Sequence, residues 1–287
     1  LYFSQFSQTA IGHAAVGPDV QEYDAWARRI LAGELLWDRL HIHGPLYPYL
    51  LAGLYAVTRM DVALVRLLQL GLDVVSLLLV GAAVRRLVSR RAALAAGVLW
   101  AVYLPLIYYS GELISEGLAV FLVAAALALW AAADGTRHRR PCRAGLLYAL
   151  TGLGLGLATI THPLNLFFGL AVVVLAPWMR DDDTGVQKAG TVTLALFLGL
   201  ALPVAAVAWR NAAVSGEFVL IQARDGLNFY LGNHPDADGT CNLRPGPEYD
   251  ALVDWPAALG IEGEEAARAF YYSQALAFAR EQPLAWA

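Results

Sequence analysis

Charged residues are scarce in this 287-residue chain, at 15% against 58% hydrophobic, with a mean hydropathy of +0.51. A soluble domain carries about a quarter charged residues, so the chain lacks the groups to cover a water-facing surface. The same figures exclude a disordered chain and a coiled coil. Lysine is nearly absent: Lys188 is the sole one among 20 basic residues. A formal net charge of −4 leaves no electrostatic footprint for nucleic acid. Only two cysteines occur, Cys142 and Cys241, which is too few for a disulfide framework. No basic region precedes an apolar run at the start, so there is no secretory signal pattern. What the composition leaves is an all-α integral membrane protein.

A bilayer core of about 30 Å needs roughly 20 apolar residues per helix. Six stretches serve: 62–84, 92–109, 116–133, 145–160, 163–178 and 189–209. The run 45–57 is too short to cross, and with Tyr47, Tyr49 and Tyr55 along it reads as a helix lying in the interface. Arg85, Arg86, Arg90 and Arg91 mark one helix junction, and Arg137, Arg139, Arg140 and Arg143 another. Two spans separate them, so both face the cytoplasm by the positive-inside rule, and Arg180 with Lys188 falls on that side too. The polar stretches 1–44, 110–115 and 210–287 then face outside. The two cysteines would lie on opposite sides. The organisation expected is a first outer loop with two interfacial helices (1–61), a six-helix membrane module (62–209) and an outer helical segment (210–287), in a chain truncated at both ends, with further helices expected beyond each.

The outer loops hold the polar chemistry. From Val20, Tyr23, Ala27, Ile30 and Leu31 recur at helical spacing and Gly33 is placed to end the helix. Asp19 stands ahead of the first turn, three residues before Glu22. That pair is a near-match to a capping box, yet a capping carboxylate keeps a second oxygen for other work. Glu112 and Glu116 lie in the second outer loop, where Ser115 can cap and the helix dipole favours Glu116. They could equally orient a polar substrate. His162, in the Thr161-His162-Pro163 turn, is either a hydrogen-bonded turn residue or part of a site. Arg210, ending a span, either snorkels to head groups or meets a lipid phosphate, and Arg224 could reach in from its loop. Asn228 to Asn233, followed by Asp238 and Gly239, has the Gly, Asn and aromatic density that suits sugars and polar head groups.

Arg66 and Asp73, seven apart, share one face of a span, where ionisable groups are costly unless paired or functional. Arg66 is a phosphate candidate; Asp73 reads as a structural partner for a neighbouring helix. Asp181-Asp182-Asp183 matches the acid-x-acid metal pattern of sugar-nucleotide enzymes, but in a cytoplasmic loop it reads as a solvated acidic turn. The segment 263–280 reads as a packing helix.

Asp19, Tyr23-Asp24, Trp26-Ala27, Gly33 and Pro45-Leu46-Tyr47 together resemble the first outer loop of polytopic GT-C glycosyltransferases. Within that class the likeness is to bacterial relatives of the protein mannosyltransferases and of the lipid A aminoarabinose transferase. Ser110 to Glu116, Gly156 to Thr161, and Arg210-Asn211 with Asn228 to Asn233 follow in family order. The resemblance implies a GT-C-like polytopic helical bundle with interfacial helices in its first outer loop, set in the cytoplasmic (inner) membrane of a bacterium. It implies an inverting transfer of one sugar from a polyprenyl-phosphate donor to a lipid, glycan or protein acceptor on the outer face. Asp19 matches the catalytic base. Glu116 and Glu112 match the acid of the second loop, and Arg210, Arg66 and Arg224, in that order, are the candidates for the lipid phosphate. Tyr23, Asp24, His162 and Asn233 complete the substrate-binding set. His162 stands where relatives often have Lys, a departure from the pattern. A divalent cation is left open, since no closed ligand set is visible and relatives differ on the metal. Two competing functions share the apolar spans: a transporter or flippase for lipid-linked sugars, and a non-catalytic binding subunit.

Overall fold

The computed structural model describes residues 18–36, 38–175, 186–237 and 246–286. Asp181 to Asp183, Arg180, the Lys188 side chain, Cys241, Asp238 and Gly239 lie outside the described residues. Every regular element described is a helix. By contacts the chain forms two units: 1–37 with 43–207, and 38–42 with 208–287.

The first unit opens with α1 (Pro18–Leu31) and α2 (Leu46–Thr58). On α1, Val20, Tyr23, Trp26, Ala27 and Ile30 are buried, a stripe at three- and four-residue spacing that packs on Tyr47, Leu51, Ala52 and Tyr55 of α2. Leu31, expected in that stripe, is 42% exposed because the chain is already leaving the helix toward Gly33 at φ +98°. At 13 residues α2 is about 20 Å long, short of a bilayer core.

Seven helices follow: α3 (Val62–Leu87), α4 (Arg90–Val102), α5 (Leu104–Ser110), α6 (Glu116–Thr136), α7 (Pro141–Thr161), α8 (Asn165–Leu175) and α9 (Val186–Ser215). Asp61 caps α3 by accepting from the backbone N–H of Ala63 and Leu64, and Ser89 caps α4 through Ala92. Arg85 and Arg86 close α3 where cations complement the helix dipole. Among the described residues four helices are long and apolar enough to cross a membrane, five if α4 and α5 count as one. The chain is a multi-pass helical membrane protein. The expected span 92–109 is bent by 61° between α4 and α5. Tyr103 is extended there, and Pro105, which has no N–H to give, restarts the helix. As expected of a structural partner, Asp73 accepts from the indole N–H of Trp100 on α4 at 3.2 Å.

Without a hydrophobic drive between helices in lipid, close backbone approach carries the packing. On α7, a Cβ at Gly152 would fall on the carbonyl oxygen of Leu196, and one at Gly156 would lie 2.5 Å from that of Leu200, both on α9. The same helix turns Gly154 toward α6, against the Cβ of Ala126.

The second unit contains α10 (Asp225–Leu231), α11 (Pro247–Ala258), α12 (Glu264–Glu281) and the short α13 (Pro283–Trp286). The expected packing helix is α12, which buries Tyr271 and Ala275.

Candidate functional site

The first unit gathers its polar side chains around Tyr23. The ring of Tyr23 is 4% exposed, meets Tyr47 edge-on at 4.9 Å and lies 5.0 Å from the His43 ring. Its hydroxyl is hydrogen-bonded to Ser115. Ser115 therefore does not cap α6 as expected: its backbone is helical rather than extended, and no side-chain cap bond forms. Burial pushes the Tyr23 phenol up, the Ser115 bond offsets part of that, and the carboxylates of Glu116, Asp19 and Glu22 add to the rise. Burial likewise pushes up Tyr47, whose hydroxyl donates to Gln69 Oε1 at 3.1 Å. Both phenols stay neutral. Gln69 Nε2 in turn donates to the backbone oxygen of Glu112 at 2.9 Å, tying the loop ahead of α6 to α3.

Asp19 lies within the first turn of α1 rather than ahead of it, and its side chain is 66% exposed. His43 Nε2 stands 2.8 Å from Glu22 Oε2 and 3.8 Å from Asp19 Oδ1. Glu116 opens α6 and keeps its Oε2 buried with no hydrogen-bond partner. It lines a pocket of about 200 Å³ with Tyr47, Gln69, Tyr103, Tyr109 and Ser110, under a largely apolar wall that includes Leu50, Leu72 and Leu106. Asp19 is outside that lining, with Tyr23 in electrostatic reach of both acids.

Other candidates are placed elsewhere. Asp24 is engaged on both oxygens, by the Tyr55 hydroxyl at 2.5 Å and Arg28 Nε at 2.7 Å. Arg66 is 1% exposed and sits in the field of Tyr55. Glu112 offers its backbone oxygen to Gln69. His162 ends α7, its carbonyl accepting from Asn165 Nδ2 at 3.0 Å. In the second unit, Arg210 donates to Asn211 Oδ1 at 3.1 Å. Asn211, fully buried, donates at 3.0 Å to the carbonyls of Val219 and of Ile221. Arg224 takes φ +63° and gives its N–H to Glu264 at 2.6 Å. Asn233 spans Phe229 and Trp286 with its two ends, at 2.8 Å each. No cluster of three or more His, Cys, Asp or Glu poised for a metal occurs among the described residues.

Residues 42–209 match the family model described as dolichyl-phosphate-mannose-protein mannosyltransferase. The chain belongs to that family. It is a GT-C-type membrane glycosyltransferase, of a family that draws on polyprenyl-phosphate sugar donors. No curated protein and no solved structure matches the chain. The matched stretch of this mannosyltransferase family holds His43, Tyr47, Gln69, Ser115, Glu116 and the pocket, while Asp19, Glu22 and Tyr23 precede it.

His43, Glu22, Tyr47 and Gln69 do not stand out from the sequence as site residues. A histidine just ahead of Gly44-Pro45 carries no spacing signal. Gly44 explains its placement, because a Cβ there would fall on the Thr161 carbonyl. The chain must pass the end of α7 at that point, which sends His43 toward α1.

Proposed function

We propose that the chain moves a single sugar, with inversion, from a polyprenyl-phosphate donor to an acceptor hydroxyl on the outer face of the cytoplasmic membrane. Asp19 takes the proton of the acceptor hydroxyl as its oxygen bonds to the anomeric carbon. The bond from that carbon to the phosphate oxygen breaks, and the polyprenyl phosphate leaves with the electron pair. One displacement inverts the anomeric centre. The leaving phosphate is assigned to Arg66, the candidate arginine in the same unit as Asp19 and Glu116, because a guanidinium matches phosphate oxygens in geometry and charge. Glu116 is assigned to a hydroxyl of the bound substrate.

The observation that carries this reading is the pair of acids within electrostatic reach of Tyr23. One, Asp19, is solvent-exposed on the first turn of a helix, where an acceptor can arrive. The other, Glu116, presents a buried, unpartnered oxygen at a pocket. A base must be within hydrogen-bond reach of the proton it takes, and exposure at a helix start permits that.

The test is Asp19→Asn in membranes, assayed for sugar release from a synthetic polyprenyl-phosphate sugar. Turnover should fall by about 10²- to 10⁴-fold, the usual range for a lost general base. Full activity in the variant would sink the base assignment. Absence of release by the parent chain, with donor still bound, would point instead to binding or transport.

A further inference from the structure

A carboxylate oxygen buried without a hydrogen-bond partner is costly, more so than a neutral acceptor. Glu116 Oε2 is such an atom, and its residue lines a pocket of about 200 Å³. An occupant of that pocket either brings a hydrogen to Glu116 or leaves the cost standing.

The lining says which part of a lipid-linked sugar can do so. Asp73 and Glu116 line the pocket with no Arg, Lys or His, so nothing there offsets the charge of a phosphate. Arg66, assigned to the phosphate, is outside the lining. An isoprenoid chain would suit the wall of Leu50, Leu72 and Leu106 but has no hydrogen to give. A sugar ring offers both, with hydroxyls at its rim and apolar C–H faces between them. The neighbouring hydroxyls have spent their own hydrogens, Tyr47 on Gln69 Oε1 and Ser110 on the Ile107 carbonyl, so they meet a ligand as acceptors. The volume is below the roughly 300 Å³ at which drug-sized sites begin, which leaves room for one small ring. Asp19 is outside the lining, and the acceptor hydroxyl it serves is therefore outside as well.

One side of the pocket comes from α5. The chain bends by 61° after α4, and α5 then brings Leu106, Tyr109 and Ser110 into the lining with Glu116. A straight span over 92–109 would have carried these side chains along the axis of α4 instead.

The geometry points to this pocket as the seat of the donor's sugar, with Leu106 and Tyr109 of α5 as the residues that limit which sugar enters. The inference rests on the donor being a polyprenyl-phosphate sugar, as proposed above.

Dissociation constants measured on the full chain test it with two kinds of lipid. One is bare polyprenyl phosphate; the other is polyprenyl phosphate carrying mannose, glucose or galactose, whichever the parent holds most tightly. The parent should hold the sugar-bearing lipid at least tenfold more tightly than the bare one. Leu106→Trp, which fills the pocket, should weaken the sugar-bearing lipid at least tenfold and the bare one less than twofold. Leu106→Ala, which widens it, should reduce the discrimination among the three sugars. Equal loss of both lipids in Leu106→Trp would place the chain or phosphate in the pocket and overturn the inference. Loss of neither, or unchanged discrimination in Leu106→Ala, would overturn it too. Should Leu106→Trp not accumulate in membranes, Gly117→Leu replaces it. Gly117 also lines the pocket, a Cβ there meets nothing within 4 Å, and leucine favours a helix.

Asp19→Asn separates the two ideas. Full activity in that variant would end the base assignment and leave the sugar pocket to be decided by the binding constants. An inactive Asp19→Asn beside equal loss of both lipids in Leu106→Trp would keep the base and end the pocket assignment. Binding of neither lipid by the parent would end the donor reading and the inference with it.

Discussion

Tyr55 donates its phenolic hydrogen to Asp24 Oδ1 at 2.5 Å, from α2 to α1 across 31 residues of sequence. The other Asp24 oxygen takes Arg28 from its own helix. This is the polar fastening of α1 to α2, and it lies beside an otherwise apolar contact formed by Trp26, Ala27, Leu51 and Ala52.

Removing one side of a partly buried, charge-assisted hydrogen bond costs about 1.5–3 kcal/mol. Tyr55→Phe should therefore loosen α1 by about that amount. Hydrogen exchange of residues 18–31 should quicken by at least tenfold while α6 and α7 remain protected. Unchanged exchange in α1 would mean that apolar packing alone holds the helix.

The backbone contact of α7 with α9 leaves no room for a methyl group. Gly152→Ala should cost about 1–3 kcal/mol through overpacking, and Gly156→Ala should behave likewise. Gly145→Ala, where a Cβ meets nothing within 4 Å, should be neutral or slightly stabilising. Thermal unfolding in detergent compares the three. Equal melting temperatures for Gly152→Ala and Gly145→Ala would refute the close approach.

Glu116 should act on substrate binding more than on turnover. Glu116→Gln keeps the shape but weakens a charge-assisted bond, so donor KM should rise about tenfold, corresponding to about 1.4 kcal/mol. A fall in kcat with no change in KM would place Glu116 in the chemical step instead.

His41 gives the second unit a pH dependence. Burial, reinforced by the positive charge of Arg210, pushes its imidazole down to about 3. The folded state therefore refuses a proton that the unfolded chain accepts at its ordinary value of about 6.5. The contribution to stability is fully present above pH 6.5 and is lost as the pH falls from 6.5 toward 3, at up to about 1.4 kcal/mol per pH unit. Denaturant titrations at pH 7, 5.5 and 4.5 should show this slope, and His41→Asn should flatten it. An identical slope in the variant would place the titration elsewhere.

Much of the fold was legible because lipid is an undemanding solvent for sequence patterns. Long apolar runs bounded by arginines mark α3, α6, α7 and α9, and no competing reading accounts for 58% hydrophobic residues. The helical spacing of Tyr23, Ala27 and Ile30 likewise marks α1 and its buried face. The bend after Val102 was less legible, since Pro105 is compatible both with a kinked span and with two helices.

The candidate site was legible in part. Asp19 and Glu116 stand out as acids beside membrane helices. Asp24 was placed with them, yet the structure gives both of its oxygens to Tyr55 and Arg28. Sequence distance hid that pairing, because a phenol 31 residues away gives no local signal. Ser115 shows the same effect, its capping role displaced by a hydrogen bond to Tyr23.

Scarcity of charge, read from the sequence alone, determined that this chain spans a membrane, and it drew attention to the few acids in polar loops. Only the tertiary structure decided which of those acids are occupied and which are open. Side-chain partners are chosen by packing between helices distant in sequence: Gly44 passing Thr161 puts His43 against Glu22, and the burial of Tyr23 brings one neutral phenol within electrostatic reach of both Asp19 and Glu116.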